Sequence, residues 1–285
     1  MGSGRVGTGA DAEGGADADV DFHPRVALAS LSGEADAAWA REASGEAGLA
    51  FLGGIAVDDP TRTAAERMAA DRNRTEFLPA DPVAFVAAEL DRLADAPIAA
   101  GANVRATTPG AIRPVARVCA ERDAVLEVNA HCRQSEMCAA GAGETLLADT
   151  DRLCDVVAAA SETGATTSVK VRAEVPGVDL PALARALDDA GAAVLHVDAM
   201  DSEGVVASVR AAFDGFLIAN NGVRDRETVR EYLAYGADAV SLGRPSDNRA
   251  VRERVRDAVV EWFAETSRSD GGRADARPGG EDRTF

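Results

Sequence analysis

The sequence predicts a single α/β domain folded as a (β/α)8 TIM barrel. Short apolar runs alternate along the chain with longer amphipathic segments rich in alanine, arginine and acidic residues, and eight such pairs can be counted. No Gly-x-Gly-x-x-Gly turn follows the first run, which disfavours an open dinucleotide-binding sheet. The chain is 46% hydrophobic, enough for a core of this size.

The apolar runs give the predicted strands, which are 26–29, 49–52, 98–104, 125–129, 167–172, 193–198, 215–219 and 239–242. The predicted helices are 33–46, 81–94, 108–122, 149–163, 179–190, 203–213, 225–235 and 247–264, with an additional piece, 61–72, in the second crossover. Helix starts are indicated by the capping residues Thr108, Asp149, Asp179 and Asp225. Helix ends are indicated by Gly-Ala pairs at 164–165, 191–192 and 236–237, where glycine can adopt a left-handed conformation.

The two ends of the chain differ in composition from the centre. Segments 1–21 and 267–285 are rich in Gly, Asp, Arg and Ala, and we expect disordered tails around a barrel domain at 22–266. No apolar stretch approaches the roughly 20 residues that span a bilayer, and the N-terminus lacks the apolar core of a signal peptide. We therefore expect a cytoplasmic protein.

The charge is strongly negative, with 48 acidic against 30 basic residues and a formal net charge of −18. Only one of the basic residues, Lys170, is a lysine. A carboxylate-rich surface almost without lysine is typical of adaptation to high salt, and we expect a halophilic source rather than an acidic binding patch. At ordinary salt this charge opposes nucleic-acid binding. The four cysteines and three histidines lack zinc-site spacing, so no metal is predicted.

Polar residues crowd the end of the fourth predicted strand, which reads Asn129-Ala-His131-Cys132-Arg133 and leads into a glycine-rich loop. A partly exposed cysteine at a strand end can donate a proton, so Cys132 is a candidate acid. The alternative is that Cys132 is a small buried apolar residue and Asn129 caps a turn. The polarity of the cluster favours function. Cys138 is a weaker candidate, and Cys119 and Cys154 are predicted to lie in the core.

The fifth strand carries the single lysine. Alternation places Ser168, Lys170 and Arg172 on one face, and a barrel interior rarely holds two cations without a reason. The alternative is a salt-bridged or snorkelling pair at the rim. Lys170 is the single lysine of a chain whose other basic residues are arginines, which indicates that this position has a role that arginine cannot fill. On the sixth strand, Asp198 lies nearer the rim and is a better candidate than His196, which we interpret as an interior histidine.

Glycine turns follow the seventh and eighth strands, as Asn221-Gly222 and Gly243-Arg244. In barrels of this kind these turns often bind phosphate through backbone amides, and an arginine adds charge-assisted hydrogen bonds. Each could also be an ordinary turn. Together they favour a phosphorylated ligand.

These motifs resemble those of the tRNA-dihydrouridine synthases, FMN-dependent barrel enzymes, and more closely a divergent archaeal branch of related barrel proteins. The resemblance spans about residues 24–264. Residues 129–132 and the Gly-Ala-Gly at 141–143 are similar to the Asn-x-x-Cys-Pro stretch and glycine loop of the family, and residues 169–172 are similar to its Val-Lys-x-Arg strand. The two glycine turns and residues 29–33 are similar to its phosphate turns and its opening flavin-binding loop.

The resemblance implies a flavin reaction in which Cys132 protonates a uracil-like ring and Lys170 lies beside FMN. It implies that FMN is held by Ser32, Gly33, Asn103, Asn129, Lys170, Asp198, Asn221, Gly222, Gly243 and Arg244. Arg133 and Arg172 are expected to bind an anionic group of the substrate, and NAD(P)H is the candidate electron donor.

Four positions depart from the family pattern. Arg133 replaces the proline, His131 the glycine before the cysteine, Asp198 the flavin-contacting histidine and Asn103 a glutamine. We also expect no helical RNA-binding domain after the barrel. A flavin site is therefore better supported than a tRNA substrate. A dihydroorotate or dihydropyrimidine dehydrogenase-like flavoenzyme, a Schiff-base aldolase using Lys170, and a catalytically inactive flavin binder remain as alternatives.

Overall fold

The computed structural model describes residues 20–72 and 74–274, and side-chain surroundings for residues 20–71 and 74–268. Eight parallel strands close into a barrel in the order β1 to β8, which confirms the predicted fold. The strands are β1 Val26–Leu28, β2 Leu49–Ala56, β3 Ala99–Arg105, β4 Val125–Asn129, β5 Thr167–Arg172, β6 Val194–Asp198, β7 Phe216–Asn220 and β8 Ala239–Leu242. All eight coincide with predicted strands.

The helices of the described chain are α1 Ala37–Glu42, α2 Asp59–Arg72, α3 Pro82–Asp91, α4 Pro109–Ala120, α5 Ser135–Ala139, α6 Glu144–Leu147, α7 Thr150–Ser161, α8 Leu180–Asp189, α9 Val205–Arg210, α10 Arg226–Ala234 and α11 Arg249–Ala274. A 3-10 turn, Arg244–Asp247, follows β8. Asp149, Asp179 and Asp225 each accept a backbone N–H of the first helical turn, as predicted. Thr108 precedes α4 without a side-chain cap hydrogen bond.

Several predicted boundaries were wrong. Helix α1 has only six residues because Gly33, at φ +74°, turns the chain and Asp36 caps the helix three residues later. Strand β2 continues past residue 52 through two glycines that interrupt the apolar run, with a register shift against β3 between Gly53 and Ile55. Helices α5 and α6 lie in the loop after β4, where no helix was predicted.

The chain ends also differ from expectation. Helix α11 continues to Ala274, past the predicted end at 264 and into the segment expected to be a tail. Val20, inside the expected N-terminal tail, is buried. The remaining tail predictions, for 1–19 and 275–285, lie outside the described residues.

Apolar side chains close the amino-terminal end of the barrel. Phe22 packs against Phe216 with ring centroids 5.4 Å apart, and both belong to a cluster that contains Val20 and the first residues of several strands. A larger apolar cluster fills the space between the strands and the surrounding helices. The polar inward-facing residues are left at the opposite, carboxyl-terminal end of the barrel, where they surround the site.

Candidate functional site

A cavity of about 660 Å³ opens at the carboxyl-terminal end of the strands. Eleven of the predicted site residues line it, namely Ser32, Asn129, Cys132, Arg133, Lys170, Arg172, Asp198, Asn221, Gly222, Gly243 and Arg244. Because the carboxyl ends of parallel barrel strands meet at one rim, residues far apart in the sequence converge there. The volume is within the usual range for small-molecule sites.

Two predicted residues do not line the cavity. A Cβ on Gly33 would lie 2.4 Å from the backbone carbonyl carbon of Thr75, so this glycine allows the loop after β1 to pack against the segment before α3. Asn103 is fully buried beneath the cavity and hydrogen-bonds to other side chains. Neither residue is placed to contact a ligand directly.

Lys170 lies on the inward face of β5 and is 2% exposed. Its ammonium makes no hydrogen bond to the rest of the described chain, although it borders the cavity. Burial lowers the pKa of Lys170, while the carboxylates of Glu127 and Asp198 oppose that change. A buried cation without a hydrogen-bond partner is costly to keep, which indicates a ligand-binding role.

Beneath Lys170, a chain of hydrogen bonds crosses the barrel interior. The Glu127 carboxylate accepts from Asn103 Nδ2 at 2.7 Å and from Ser168 Oγ at 3.3 Å, and it meets His196 Nδ1 at 2.7 Å. His196 Nε2 lies 2.7 Å from Ser241 Oγ. All five side chains are buried, so the strands β3, β4, β5, β6 and β8 are joined by one polar layer.

The charges in this layer follow from burial. Desolvation and the nearby Lys170 lower the pKa of His196, so its imidazole is neutral near pH 7. Burial alone would raise the pKa of Glu127, but its contact with His196, followed by the charge of Lys170 and the hydrogen bond from Asn103, holds it below its usual range. A neutral His196 therefore donates from Nδ1 to Glu127 and accepts at Nε2 from the Ser241 hydroxyl.

The polar chain continues to the loop after β4. Asn129 Nδ2 donates to Asn103 Oδ1 at 2.8 Å, and the backbone N–H of Cys132 donates to Asn129 Oδ1 at 3.2 Å. Gly143, at φ +59°, passes so close that a Cβ there would be 2.0 Å from the Cys132 carbonyl oxygen. The loop that carries Cys132 is thus held from below by carboxamides and from the side by a glycine.

The four cysteines occupy different environments. Cys132 is half-buried, lines the cavity and packs beside a cluster that includes Met68 and Met137. Cys138 Sγ is 3.6 Å from the Cys132 carbonyl oxygen and is not among the cavity-lining residues. Burial raises the pKa of the Cys119 thiol to about 12, as expected for a core residue. Cys154 is only half-buried, although it packs against the main apolar cluster.

Two inward-facing arginines stand at the cavity wall. Arg172, 7% exposed, forms an ion pair with Glu144 of α6, and its Nε is buried without a hydrogen-bond partner. Arg105, at the end of β3, pairs with Glu76 at 2.7 Å and also contacts the Ser32 hydroxyl. Arg105 therefore connects the loop after β1 to the segment before α3.

The turns after β7 and β8 are open to the cavity. A Cβ on Gly243 would meet no atom within 4 Å, and one on Gly222 would meet only Arg224, at 3.9 Å. Asn221 donates to the Asp198 carboxylate at 3.0 Å, and its carbonyl accepts from Tyr232 at 2.9 Å. Asp198 thus orients the turn after β7 as well as bordering the cavity.

Positive charge dominates the cavity lining, in contrast to the chain as a whole, whose net charge is −18. The lining cations are Arg74, Arg105, Arg133, Lys170, Arg172, Arg224 and Arg244, and the lining acids are Glu34 and Asp198. The site is therefore suited to anionic ligands. Among the described residues, no group of three or more His, Cys, Asp or Glu side chains is placed to hold a metal ion.

Sequence reasoning missed Glu127, Arg105 and Ser241, and it treated His196 as an isolated interior histidine. A signal for Glu127 was present, because an acid stands between apolar residues in the buried run Val125–Asn129. Glu127 and Asn129 are two residues apart in one strand, so their side chains point to the same, inward face. Its partners on β3, β6 and β8 could not be read from spacing alone.

Curated relatives of the chain include tRNA-dihydrouridine synthase B from Xanthomonas campestris pv. campestris, 25% identical over 218 residues. The alignment covers 70% of this chain and 65% of the relative, so the chain spans less than two thirds of that protein. The likeness is distant. No protein-family model matches.

Solved structures with the same fold include DHODH from Eimeria tenella in complex with ferulenol, with a TM-score of 0.62 and 17% identity, covering 86% of this chain and 83% of that one. Another is a morphinone reductase variant in complex with tetrahydroNAD, with a TM-score of 0.60 and 16% identity, covering 85% and 88% of the two chains. At these identities the likeness shows the fold alone. In the described part of the chain, no helix is both long and apolar enough to cross a membrane.

Proposed function

We propose that the protein is an FMN-dependent oxidoreductase that acts on a carbon–carbon double bond of a uracil-like substrate, similar to the tRNA-dihydrouridine synthases. The observation that carries the proposal is Lys170, the single lysine of the chain, buried at the wall of the cavity that Cys132 also lines. The 25% identical relative supports the same reaction class.

The residues present fit FMN. Open space at Gly243 and near-open space at Gly222 leave room for a phosphate against backbone amides, and the exposed Arg244 can add a charge-assisted hydrogen bond. Lys170 supplies a compact cation further inside the cavity. Ser32, Asn129, Asp198 and Asn221 add polar contacts around the same cavity.

A bound flavin would supply or accept the hydride. In the reductive direction, the Cys132 thiol donates a proton to the substrate carbon next to the one that receives hydride. Lys170 stabilises negative charge at the cavity wall, and Asn129, through its hydrogen bonds to Asn103 and to the Cys132 backbone, holds the loop that carries Cys132. Arg172 and the exposed Arg133 attract an anionic group of the substrate.

The substrate is proposed to be a uridine of tRNA or a free pyrimidine, with NAD(P)H as the electron donor. The cationic lining favours a ligand that carries phosphate or another anion over a neutral base. We further propose that the protein is cytoplasmic and that it is adapted to high salt, the latter because acidic residues outnumber basic ones by 48 to 30 and the single lysine is buried. Comparing the dihydrouridine content of tRNA from cells with and without the protein tests the tRNA substrate.

Calorimetric titration with FMN and with riboflavin tests the cofactor. We expect FMN to bind more tightly than riboflavin, and Arg244→Ala to remove most of that difference by deleting a phosphate contact. Arg249→Ala is the matched control, because Arg249 is a nearby exposed arginine that pairs with Glu253 at 3.0 Å instead of lining the cavity. If neither flavin binds in low or high salt, the proposal is wrong.

One observation favours a second candidate, a non-redox enzyme that forms a Schiff base through Lys170. Burial lowers the pKa of Lys170, which makes the neutral amine easier to reach, and neutral amines are the nucleophiles of Schiff-base enzymes. Borohydride added with carbonyl substrates would then attach the substrate carbon skeleton to Lys170. Such trapping, without flavin binding, would replace the flavin proposal.

A further inference from the structure

The polar layer beneath the cavity contains a buried acid, Glu127, that the proposed reaction does not use. Its carboxylate is fully buried, is not among the groups that line the cavity and accepts hydrogen bonds from β3, β5 and β6. Burying an anion costs free energy unless it is paired and hydrogen-bonded. A purely structural role could be filled by an apolar residue, as in the lower layers of the barrel.

The direction of the hydrogen bonds is set from the Cys132 end. The backbone N–H of Cys132 can only donate, so Asn129 must present its oxygen to that N–H and its amide hydrogens to Asn103. Asn103 must then present its oxygen to Asn129 and donate to residue 127. Residue 127 must accept, and a carboxylate, which only accepts, fits this position.

The layer leaves little freedom for another arrangement. A Cβ on Gly54 would lie 2.7 Å from Asn103 Oδ1, so the absence of a side chain at this position lets the carboxamide lie where it does. On the other side, His196 Nδ1 donates to Glu127 and Ser241 donates to His196 Nε2. The chain of bonds thus runs from β8 to the loop that carries Cys132.

Glu127 is also an anion close to the single lysine. Strand pairing sets Glu127 opposite Ser168 and Asn129 opposite Lys170, so Glu127 and Lys170 are diagonal neighbours that both face the barrel interior. Lys170 interacts electrostatically with titratable groups on three neighbouring elements. They are Glu127 of β4, His131 of the following loop, and His196 and Asp198 of β6. Glu127 is the acid of this group that is fully buried.

We propose that Glu127 is a positioning residue, whose buried carboxylate keeps Lys170 charged and anchors the hydrogen-bond chain that ends at Cys132. The catalytic importance of Lys170 and Cys132 rests on the proposed function, but the positioning by Glu127 does not. Glu127 acts on two sides of the cavity. Its negative charge acts on Lys170 of β5, and its hydrogen bonds, through Asn103 and Asn129, act on the loop after β4 that carries Cys132.

A Glu127→Gln variant separates the charge from the hydrogen bonds. The glutamine oxygen can accept from Asn103, and its NH2 can donate to His196 if the imidazole changes tautomer. His196 would then donate to Ser241, whose hydroxyl can turn to the Ala219 carbonyl at 3.4 Å. Ser168 donates to the Glu127 oxygen that meets His196, so in the variant its hydroxyl would instead accept from the glutamine NH2. Each contact of Glu127 thus keeps a donor and an acceptor while the negative charge is lost.

The single lysine makes its charge directly measurable. Protein grown with ¹³C-labelled lysine gives the NMR signals of one lysine side chain, and their pH titration reports the pKa of Lys170 without flavin or substrate. We expect Glu127→Gln to lower this pKa by about one unit or more, the effect of removing a close opposite charge. Glu89→Gln is the matched control, because Glu89 is buried but bonds to Ala37 and Arg92 outside the cavity.

The second half of the proposal is tested by hydrogen exchange at the Cys132 amide. Asn103→Ala removes the acceptor that fixes the Asn129 carboxamide and leaves the Glu127 charge. We therefore expect the Cys132 amide, which donates to that carboxamide, to exchange about tenfold faster. Glu127→Gln should leave the rate close to that of the wild type. An unchanged Lys170 pKa in Glu127→Gln, or an unchanged Cys132 exchange rate in Asn103→Ala, would overturn the corresponding half. Failure of FMN to bind would instead overturn only the proposed function.

Discussion

The stability of the protein should fall on mild acidification because of a histidine at the cavity wall. His131 lines the cavity, and its Nδ1 is buried without a hydrogen-bond partner. Desolvation, followed by the charges of Lys170, Arg105 and Arg172, lowers the pKa of His131 well below 6.5. The folded state therefore resists protonation of His131, whereas the unfolded chain accepts the proton near pH 6.5.

The sign and size of the effect follow from proton linkage. A folded-state pKa below the unfolded value means that stability is full above about pH 6.5 and is lost as the pH falls. At about pH 5.5, one unit below the unfolded pKa, a histidine that stays neutral in the folded state costs about 1.4 kcal/mol. His196, whose pKa is also lowered, adds a loss of the same sign.

Urea unfolding of the wild type and of His131→Gln at about pH 7.5 and pH 5.5, in one fixed salt concentration, isolates the His131 contribution. We expect the wild type to lose about 1 to 1.4 kcal/mol more than the variant between these conditions. The window lies above the range in which most carboxylates titrate, and the change in overall charge repulsion cancels in the comparison. Equal losses in the two proteins would refute the assignment of a low pKa to His131.

Three further predictions concern the cavity and its loops. Gly143→Ala should lower the free energy of unfolding, measured in urea, by about 2 to 3 kcal/mol. Residue 143 has φ +59°, and the new Cβ would stand 2.0 Å from the Cys132 carbonyl oxygen. Gly141→Ala is the control and should cost less, because the nearest atom there belongs to the movable Arg152 side chain, at 3.1 Å. Lys170→Met should slow flavin reduction about 100-fold or more in stopped-flow absorbance, and normal kinetics would remove its assigned role. Cys132→Ala should leave the Kd for FMN unchanged and lower turnover about 100-fold or more, so unchanged turnover would place the proton donor elsewhere.

Local pattern was sufficient to predict most of the fold and many of the residues that line the cavity. Each strand of a parallel barrel is a short buried apolar run, and the cavity forms where the strands end, so Lys170 in the second half of β5 and Cys132 in the loop after β4 could be placed from the sequence. Lys170 also stood out because no other lysine competes with it.

The remaining features depend on partners that are distant in the sequence. Glu127 hydrogen-bonds to His196, which is 69 residues away in the sequence. Arg105 bonds to Glu76 and Ser32, which are 29 and 73 residues away. The register of barrel strands decides such contacts, and it is not set by periodicity within one strand. The short helices α5 and α6 were missed because five and four residues are too few for a recognisable helical period.

The closed amino-terminal end of the barrel has a kinetic consequence. Val20 and Phe22 are buried across that end and pack with the partly buried Phe216, so in the described part of the chain ligands reach the interior from the other end. For the proposed function, electron donor and electron acceptor would have to use the same entrance, one after the other. Steady-state rates measured at several concentrations of both reactants should then give parallel double-reciprocal lines, the pattern of an enzyme that releases one product before the next reactant enters.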